Sequence, residues 1–213
     1  MNKCALLLLS GVFVLCSGMT QAQSKNPYAM FEEVATKTFD RIKTERQLID
    51  AEPELLRKVV EEELLPYVDY NFSALKVLGK YYKKVPREKI PEYIKVFRSY
   101  LITTYALALA YYDGQEVEFQ PVRDVTDERT VTVRAVVKEP GRPNINLAFK
   151  LRKNKKTNEW KAYDMVAEGI SLLSSKQSEF ESILRKEGLQ KVIDMMNNTI
   201  GKPINIDSEK KGR

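Results

Sequence analysis

Residues 160–173, WKAYDMVAEGISLL, predict a β-strand followed by a tight turn, and the rest of the chain is expected to fold around them. From residue 160 to residue 167, apolar side chains occur at both alternating sets of positions. That pattern is typical of a strand covered on both faces. Glu168 and Gly169 then turn the chain. The stretch contains no Cys or His, so it lacks the side chains most used in nucleophilic and metal chemistry.

Strict alternation along this strand predicts which side chains share a face. Asp164 is expected among apolar residues, and Tyr163 is expected on the opposite side. One predicted face consists of Trp160, Ala162, Asp164 and Val166, and the other of Tyr163, Met165 and Ala167.

Three more strands are predicted after Gly114, where the apolar period changes from about 3.6 residues to two. They are expected at residues 116–121, 129–138 and 143–153, with a hairpin loop at residues 154–158. Four consecutive strands with short links indicate an antiparallel meander.

Helices are predicted before the sheet. Asn26, followed by a proline, has the position of an N-cap, and Asp69 is a later cap whose helix ends at Gly79. The longest helix is expected over residues 91–112. Its second part, residues 99–112, contains no charged residue, so this helix should be buried on most sides.

Two helices are predicted after the sheet. The first is expected to begin near Ser174 or Ser175 and to end at Gly188, and the second follows directly. The predicted fold class is therefore α+β, with N-terminal helices, a four-stranded or slightly larger antiparallel sheet, and C-terminal helices.

Both ends of the chain are predicted to lie outside the folded domain. Residues 1–22 have the basic start, short apolar run and small-residue end of a secretory signal peptide, so the mature protein is expected to be exported. Residues 23–200 are expected to form a single domain, and residues 201–213 a polar flexible tail.

The cysteine and histidine content excludes several classes of protein. Cys4 and Cys16 both lie in the predicted signal peptide, and the chain has no His. A mature chain of this composition has no disulfides, Cys/His zinc sites, Ser–His–Asp triad or Cys–His pair. We predict no catalytic residue, metal site or cofactor, and no nucleic-acid partner.

Asp164 has two interpretations. A carboxyl group among apolar residues is a candidate general base, because burial raises the pKa of an acid. It is equally the pattern of a structural carboxylate held by Arg, Tyr or backbone N–H groups. Sequence favours the structural interpretation, since no second catalytic group is placed beside it.

Two lysine-rich segments stand out from a chain of formal net charge +6. Residues 80–89 are expected to form an exposed basic connection, with a phosphate site as the alternative. The hairpin near residue 155 is expected to be solvated, with contact to lipid head groups or an acidic partner as the alternative. The residues that would make that contact are Lys150, Arg152, Lys153, Lys155 and Lys156.

Four segments closely resemble the MlaC family, also called the toluene-tolerance family. They are NPYAMFEEVATKTFDRI, VEEELLPYVDYNFSALKVLGKYY, VFRSYLITTYALALAYYDGQEVEF and FKLRKNKKTNEWKAYDMVAEGISLLSSKQSEFESILRKEGL. They occur in the family's order, and the resemblance runs over residues 26–196.

The resemblance implies a periplasmic phospholipid carrier in a Gram-negative bacterium. Such a carrier holds the acyl chains of its cargo in an apolar cavity between sheet and helices. Its implied partners are phospholipid, an outer-membrane lipoprotein–porin complex, and an inner-membrane ABC transporter with its lipid-binding ring. The implied pathway maintains the lipid asymmetry of the outer membrane.

Periodicity and the resemblance together predict the lining of the cavity, on the faces that meet between sheet and helices. Two residues, Phe72 and Leu75, are expected to close it. The predicted lining is Phe97, Leu101, Tyr105, Leu109, Val131, Val133, Leu147, Phe149, Leu151, Tyr163, Met165, Ile170 and Leu172.

Two rival functions remain open at this point. One is a small α+β enzyme shaped as a cone, with Asp164 as general base. The other is a periplasmic adaptor with a filled core and no ligand.

Overall fold

The computed structural model describes residues 25–206, and the predicted signal peptide at residues 1–22 lies outside the described residues. The helices are α1 (Pro27–Thr44), α2 (Arg46–Ala51), α3 (Leu55–Val59), α4 (Tyr70–Leu78), α5 (Ile90–Leu109), α6 (Leu172–Lys186) and α7 (Gly188–Ile200). The strands are β1 (Glu116–Phe119), β2 (Thr130–Lys138), β3 (Ile145–Lys153), β4 (Trp160–Ala167) and β5 (Ile170–Ser171). The predicted α+β fold class is confirmed.

The predicted helix caps are present. The side chain of Asn26 accepts a hydrogen bond from the backbone N–H of Tyr28 (3.0 Å), and Asp69 accepts one from Phe72 (3.2 Å). Gly79 ends α4 with a φ of +51°, which favours glycine. A π-helical turn (Val60–Leu64) and a 3-10 turn (Leu65–Tyr67) connect α3 to the Asp69 cap.

The sheet is an antiparallel meander in the order β1-β2-β3-β4-β5. It contains the four predicted strands and one more, the two-residue β5. Glu168 and Gly169 connect β4 to β5 with φ values of +48° and +79°. Two positive φ angles in a two-residue loop match the right-handed twist of the flanking strands.

A β-bulge between β3 and β4 changes the predicted faces. Lys150 pairs with Asp164, whereas Leu151 pairs with Ala162. Tyr163 is therefore an extra residue of β4 that has no partner in β3. Ala162 and Asp164 therefore lie on opposite faces. The prediction that Trp160, Ala162, Asp164 and Val166 share one face is wrong, because alternation assumes an unbroken register.

The two faces of the sheet are best defined by their residues. The first face carries the apolar row of β2 and the apolar row of β3, and the second carries the polar and charged row of β3. The first face includes Val131, Val133, Leu147, Phe149, Leu151, Trp160, Ala162, Met165 and Ala167, and the second includes Ala148, Lys150, Arg152, Asp164 and Val166.

Within residues 25–206, the buried side chains form three separate clusters. The helical cluster lies between α4, α5, α6 and α7, around Tyr93 and Phe180. The α1–α5 cluster includes Ile42, Val60 and Ala106. The sheet cluster joins the start of α1 to the first face. As predicted, α5 is buried on most sides, because it packs against α3, α4 and α7.

Helix α6 begins earlier than predicted. Ser171 is its N-cap and accepts a hydrogen bond from the backbone N–H of Ser174 (3.0 Å). The predicted start near Ser174 or Ser175 is wrong. Leu172 in the first turn is apolar but 40% exposed, so it does not follow the buried helical face on which that prediction rests.

The C-terminal segment does not become a free tail at residue 201. Ile204 is 3% exposed and completes the α1–α5 cluster. Its backbone N–H donates to Glu54 Oε1 (2.8 Å), and Arg57 Nη2 donates to the carbonyl of Lys202 (2.7 Å). The predicted tail is wrong for residues 202–206, because Ile204 and Ile206 pack on the α1–α5 cluster and two backbone groups of this segment are hydrogen-bonded to Glu54 and Arg57. Residues 207–213 lie outside the described residues.

Within the described part of the chain, no helix has the length and apolar character needed to cross a membrane.

Candidate functional site

One half of the first face is fully covered by protein. Tyr28 and Met30 of α1 pack into the same cluster as this half, and the ring of Phe31 lies 4.3 Å from that of Phe149. We call it the covered half, and its residues are Val131 (4% exposed), Val133 (0%), Leu151 (0%) and Trp160 (4%). In this structure Val131, Val133 and Leu151 contact other protein side chains, and their role in lining a cavity stays a prediction.

The other half of the same face is only partly covered. Its residues are Leu147, Met165 and Ala167, and all three are half-buried. They are neighbours across β3 and β4, and none of them packs against any of the three core clusters. We call this region the open half.

The edge of the open half carries exposed apolar side chains. Ile170 pairs with Ala167 and is 61% exposed, and Ile145 is 48% exposed at the start of β3. Leu172, in the first turn of α6, is 40% exposed. Burying large aliphatic side chains is favourable, so this edge is available for an apolar contact.

The predicted lining residues on α5 divide into two groups. Phe97 is 3% exposed and belongs to the helical cluster. Leu101 is half-buried at the margin of that cluster, and Tyr105 and Leu109 are half-buried at the margin of the α1–α5 cluster. These three are therefore the predicted α5 residues that extend beyond the closely packed core.

Tyr105 also has an altered ionisation. Burial of the hydroxyl, with a smaller contribution from the negative charge of Asp164, raises the pKa of Tyr105 to about 12. The hydroxyl therefore stays protonated across the physiological range. A neutral phenol presents an apolar ring and one hydrogen-bonding tip to its surroundings.

The two residues predicted to close the cavity lie on α4. Phe72 and Leu75 are both half-buried, and Phe72 contacts Tyr163 edge-to-face with ring centroids 5.3 Å apart. Ser73 donates a hydrogen bond to the backbone carbonyl of Tyr163 (2.7 Å). The bulged residue of β4 is thus fixed against α4, and its contact with a ligand stays a prediction.

Asp164 is a structural anchor on the second face. It is 9% exposed and accepts hydrogen bonds from Lys150 Nζ (3.0 Å), Ser171 Oγ (2.8 Å) and the backbone N–H of Leu173 (3.1 Å). The carboxylate therefore joins β3, β5 and the start of α6. The structural interpretation is supported, with Lys and Ser as partners in place of the predicted Arg and Tyr.

The five basic residues predicted for head-group or partner contact do not form one surface. Lys150 is engaged by Asp164, and Arg152 lies over the Phe72 ring (4.0 Å to its centroid) and 3.5 Å from a carboxylate oxygen of Asp69. Lys153 lies over the ring of Trp160. Lys155 and Lys156 are exposed at the hairpin tip. Their contact with head groups or a partner stays a prediction.

The predicted lining omits an apolar stripe on α1, although its periodicity predicts a helical face. Phe31, Ala35 and Phe39 recur every four residues and are all half-buried. The stripe runs from the sheet, where Phe31 contacts Phe149, to the region after α5, where Phe39 stacks on Tyr112 with centroids 4.4 Å apart. The four-residue spacing is visible in the sequence, but spacing alone does not distinguish a ligand wall from an ordinary core face.

These features define a class of protein: an α+β domain in which helices wrap an antiparallel meander and leave half of one apolar face partly uncovered. The sequence matches the MlaC protein family over residues 32–198. The chain belongs to the MlaC family.

Two relatives show how far the similarity extends. The intermembrane phospholipid transport system binding protein MlaC of Haemophilus influenzae is 33% identical over 186 residues, which is 87% of each chain. The phospholipid-binding protein from Ralstonia solanacearum, solved in complex with a phospholipid, is 25% identical and superposes with a TM-score of 0.71. That superposition covers 82% of this chain and 98% of the other.

Proposed function

We propose that this protein binds a phospholipid with its acyl chains against the open half of the first face. The observation that carries the proposal is the half-burial of Leu147, Met165 and Ala167 outside all three core clusters. The α1 stripe supplies another wall, because Phe31 contacts Phe149 of the same face. The phospholipid bound by the Ralstonia relative supports this ligand class.

The energetics explain why such a ligand needs a carrier. At about 0.8 kcal/mol per methylene, exposing two chains of roughly 15 methylenes to water costs on the order of 20–25 kcal/mol. Unassisted transfer through an aqueous compartment is therefore negligible. A carrier lowers this barrier by keeping both chains against apolar side chains.

The carrier is proposed to act in the periplasm, between an outer-membrane lipoprotein–porin complex and an inner-membrane ABC transporter with its lipid-binding ring. The name of the Haemophilus relative supports intermembrane transport of phospholipid, and the predicted signal peptide supports export. In this proposal the lipid is cargo, no resident cofactor is required, and the protein is not an enzyme.

Release needs a second state of the protein, because a ligand with equal affinity for two states shifts neither. The exposed edge at Ile170 and Leu172 adjoins the open half. We expect release to involve separation of β5 and α6 from the layers that cover the acyl chains.

No observation favours the rival enzyme. Three donors already engage both carboxylate oxygens of Asp164, and they include a lysine ammonium group. A general base needs access to a substrate proton, and Asp164 is only 9% exposed.

The decisive experiment is mass spectrometry of lipid that copurifies with the full-length protein from cells. We expect phospholipid at a fixed ratio to protein after mild purification. Repeated preparations without phospholipid would overturn the carrier proposal.

A matched pair of variants locates the ligand. Leu147→Glu places a carboxylate in the open half and should strongly reduce lipid occupancy. Leu48→Glu makes the same change at a side chain of α2 that is 62% exposed, and should leave occupancy unchanged. Equal occupancy in the two variants would contradict the assignment of the open half.

A further inference from the structure

We propose that a basic surface beside α4 docks this protein on bilayers that contain anionic phospholipids. The surface consists of Lys76, Lys80, Tyr82, Lys83, Lys84 and Arg87, and we call it the basic platform. Residues 76–89 contain six basic residues and one acidic residue, a net charge of +5. The proposal does not depend on lipid being the cargo.

The platform is a fixed structure and not a solvated loop. Its central part, Gly79–Lys84, is a 3-10 helix in which Tyr81 is 9% exposed and belongs to the helical cluster. Gly79 has a φ of +51°, and a Cβ there would clash with the side-chain amide of Gln177 of α6. Tyr81 therefore anchors this segment in the core, and the ammonium groups of Lys80 and Lys84 lie over its ring, 5.6 Å and 5.4 Å from the centroid.

The charges of the platform are only partly compensated. Lys80 forms an ion pair with Glu181 of α6. Within residues 25–206, Lys83, Lys84 and Arg87 form no ion pair, and all three are exposed. Uncompensated like charges on an ordered segment destabilise the folded state and attract anions.

The chemistry favours a lipid surface over an acidic protein. Protein–protein interfaces are depleted in Lys at their centres and enriched in Arg, whereas this surface has four lysines and one arginine. Tyr82 is 45% exposed between the lysines. An amphipathic aromatic ring among flexible cations suits the head-group layer of a membrane, where each basic residue contributes attraction to anionic lipid.

The platform is continuous with the sheet. Lys76 of α4 and Arg152 of β3 both lie over the ring of Phe72, at 5.4 Å and 4.0 Å from its centroid. Arg185 of α6 lies close enough to Lys80 to repel it electrostatically. Arg185 therefore extends the positive region onto α6, whereas Arg152 is partly compensated by Asp69.

The test is flotation of the purified full chain with vesicles of phosphatidylcholine alone and with vesicles that also contain phosphatidylglycerol. The variant Lys83→Gln/Lys84→Gln/Arg87→Gln removes three charges from the platform. The control Lys43→Gln/Lys58→Gln/Lys202→Gln removes three exposed charges from α1, α3 and the C-terminal segment. Thermal unfolding and copurifying phospholipid are measured on every preparation.

We expect the wild type to bind only the anionic vesicles and to dissociate as salt is raised. The platform variant should bind on the order of a hundredfold more weakly, since each of the three charges contributes about a factor of five. The control should bind as the wild type does.

Absence of binding to anionic vesicles at low salt, binding insensitive to salt, or equal loss in both variants overturns the proposal. If the true partner is an acidic protein, the protein will not bind the anionic vesicles at low salt. Loss of copurifying lipid concerns the carrier proposal alone.

Discussion

The covered half and the open half of the first face are built from the same strands and the same kinds of residue, yet they differ in burial. Leu151 is fully buried, whereas Leu147, four residues earlier in β3, is half-buried outside every cluster. The difference lies in what covers them, because the start of α1 packs on Leu151 and not on Leu147. Whether an apolar residue of β3 is core or a candidate ligand wall thus depends on whether α1, more than a hundred residues earlier in the chain, covers it.

The largest expected effect tests that difference directly. In delipidated protein, Leu151→Ala should lower the free energy of unfolding by about 2–5 kcal/mol, because it opens a cavity in a filled core. Leu147→Ala should lower it by only about 1 kcal/mol, because this side chain is only half-buried in the delipidated protein. Urea denaturation measures both values. Equal losses would show that the two halves are equally packed and that burial does not distinguish them.

The second prediction concerns the anchor at the edge of the open half. Asp164→Ala should lower the free energy of unfolding by about 1–3 kcal/mol, because Lys150, Ser171 and Leu173 lose their acceptor. Asp164→Asn should be milder, since the amide oxygen still accepts the backbone N–H. Hydrogen exchange should accelerate at residues 170–173 and stay unchanged at Leu151. Uniform acceleration across the sheet would mean that Asp164 supports the whole fold and not this edge.

The third prediction uses lipid itself to separate the halves. A bound ligand stabilises the folded state by an amount set by its affinity. If Leu147→Ala weakens lipid binding roughly tenfold, lipid-loaded protein should lose about 1.4 kcal/mol more than delipidated protein. Leu151→Ala should cost the same with and without lipid. Melting curves of both forms measure the four values, and an identical lipid dependence in the two variants would contradict the assignment.

The smallest expected change in stability concerns Glu54, which belongs to neither half and serves as a control. The backbone N–H of Ile204 and the nearby Arg57 hold the pKa of Glu54 below its ordinary value of 4.5. A depressed carboxyl pKa stabilises the fold above the unfolded pKa, and this stabilisation is lost as pH falls through the folded pKa.

Glu54→Gln should therefore lower stability slightly at neutral pH and flatten its decline between about pH 5 and about pH 3. Because Glu54 is half exposed, solvent screening keeps the effect small. Lipid occupancy should not change. A loss of lipid in this variant would indicate that occupancy follows global stability and not the open half.

Much of the architecture is predictable because its signals are local. The caps at Asn26 and Asp69 depend on side chains within three residues, and both are present. The meander follows from alternation and short links, and its register differs from simple alternation only at the bulge.

The errors have non-local causes. The bulge places Asp164 on the second face. Beside the bulge, Ala162 forms a β-bridge with Val68 and the carbonyl of Tyr163 accepts a hydrogen bond from Ser73, and the strand pattern contains neither contact. The polar neighbours of Ile204 predict a tail. Its burial depends on Glu54 and Arg57, about 150 residues earlier.

The α+β class, the order of the elements and the absence of Cys and His chemistry after the predicted signal peptide follow from the amino-acid sequence, because composition, period and capping are properties of short stretches. Which apolar residues are core and which are half-buried follows from tertiary packing, since burial depends on distant elements. The anchoring of α6 by Asp164 and the order of the basic surface at residues 79–84 also depend on tertiary contacts, because hydrogen bonds and buried side chains from other elements hold both.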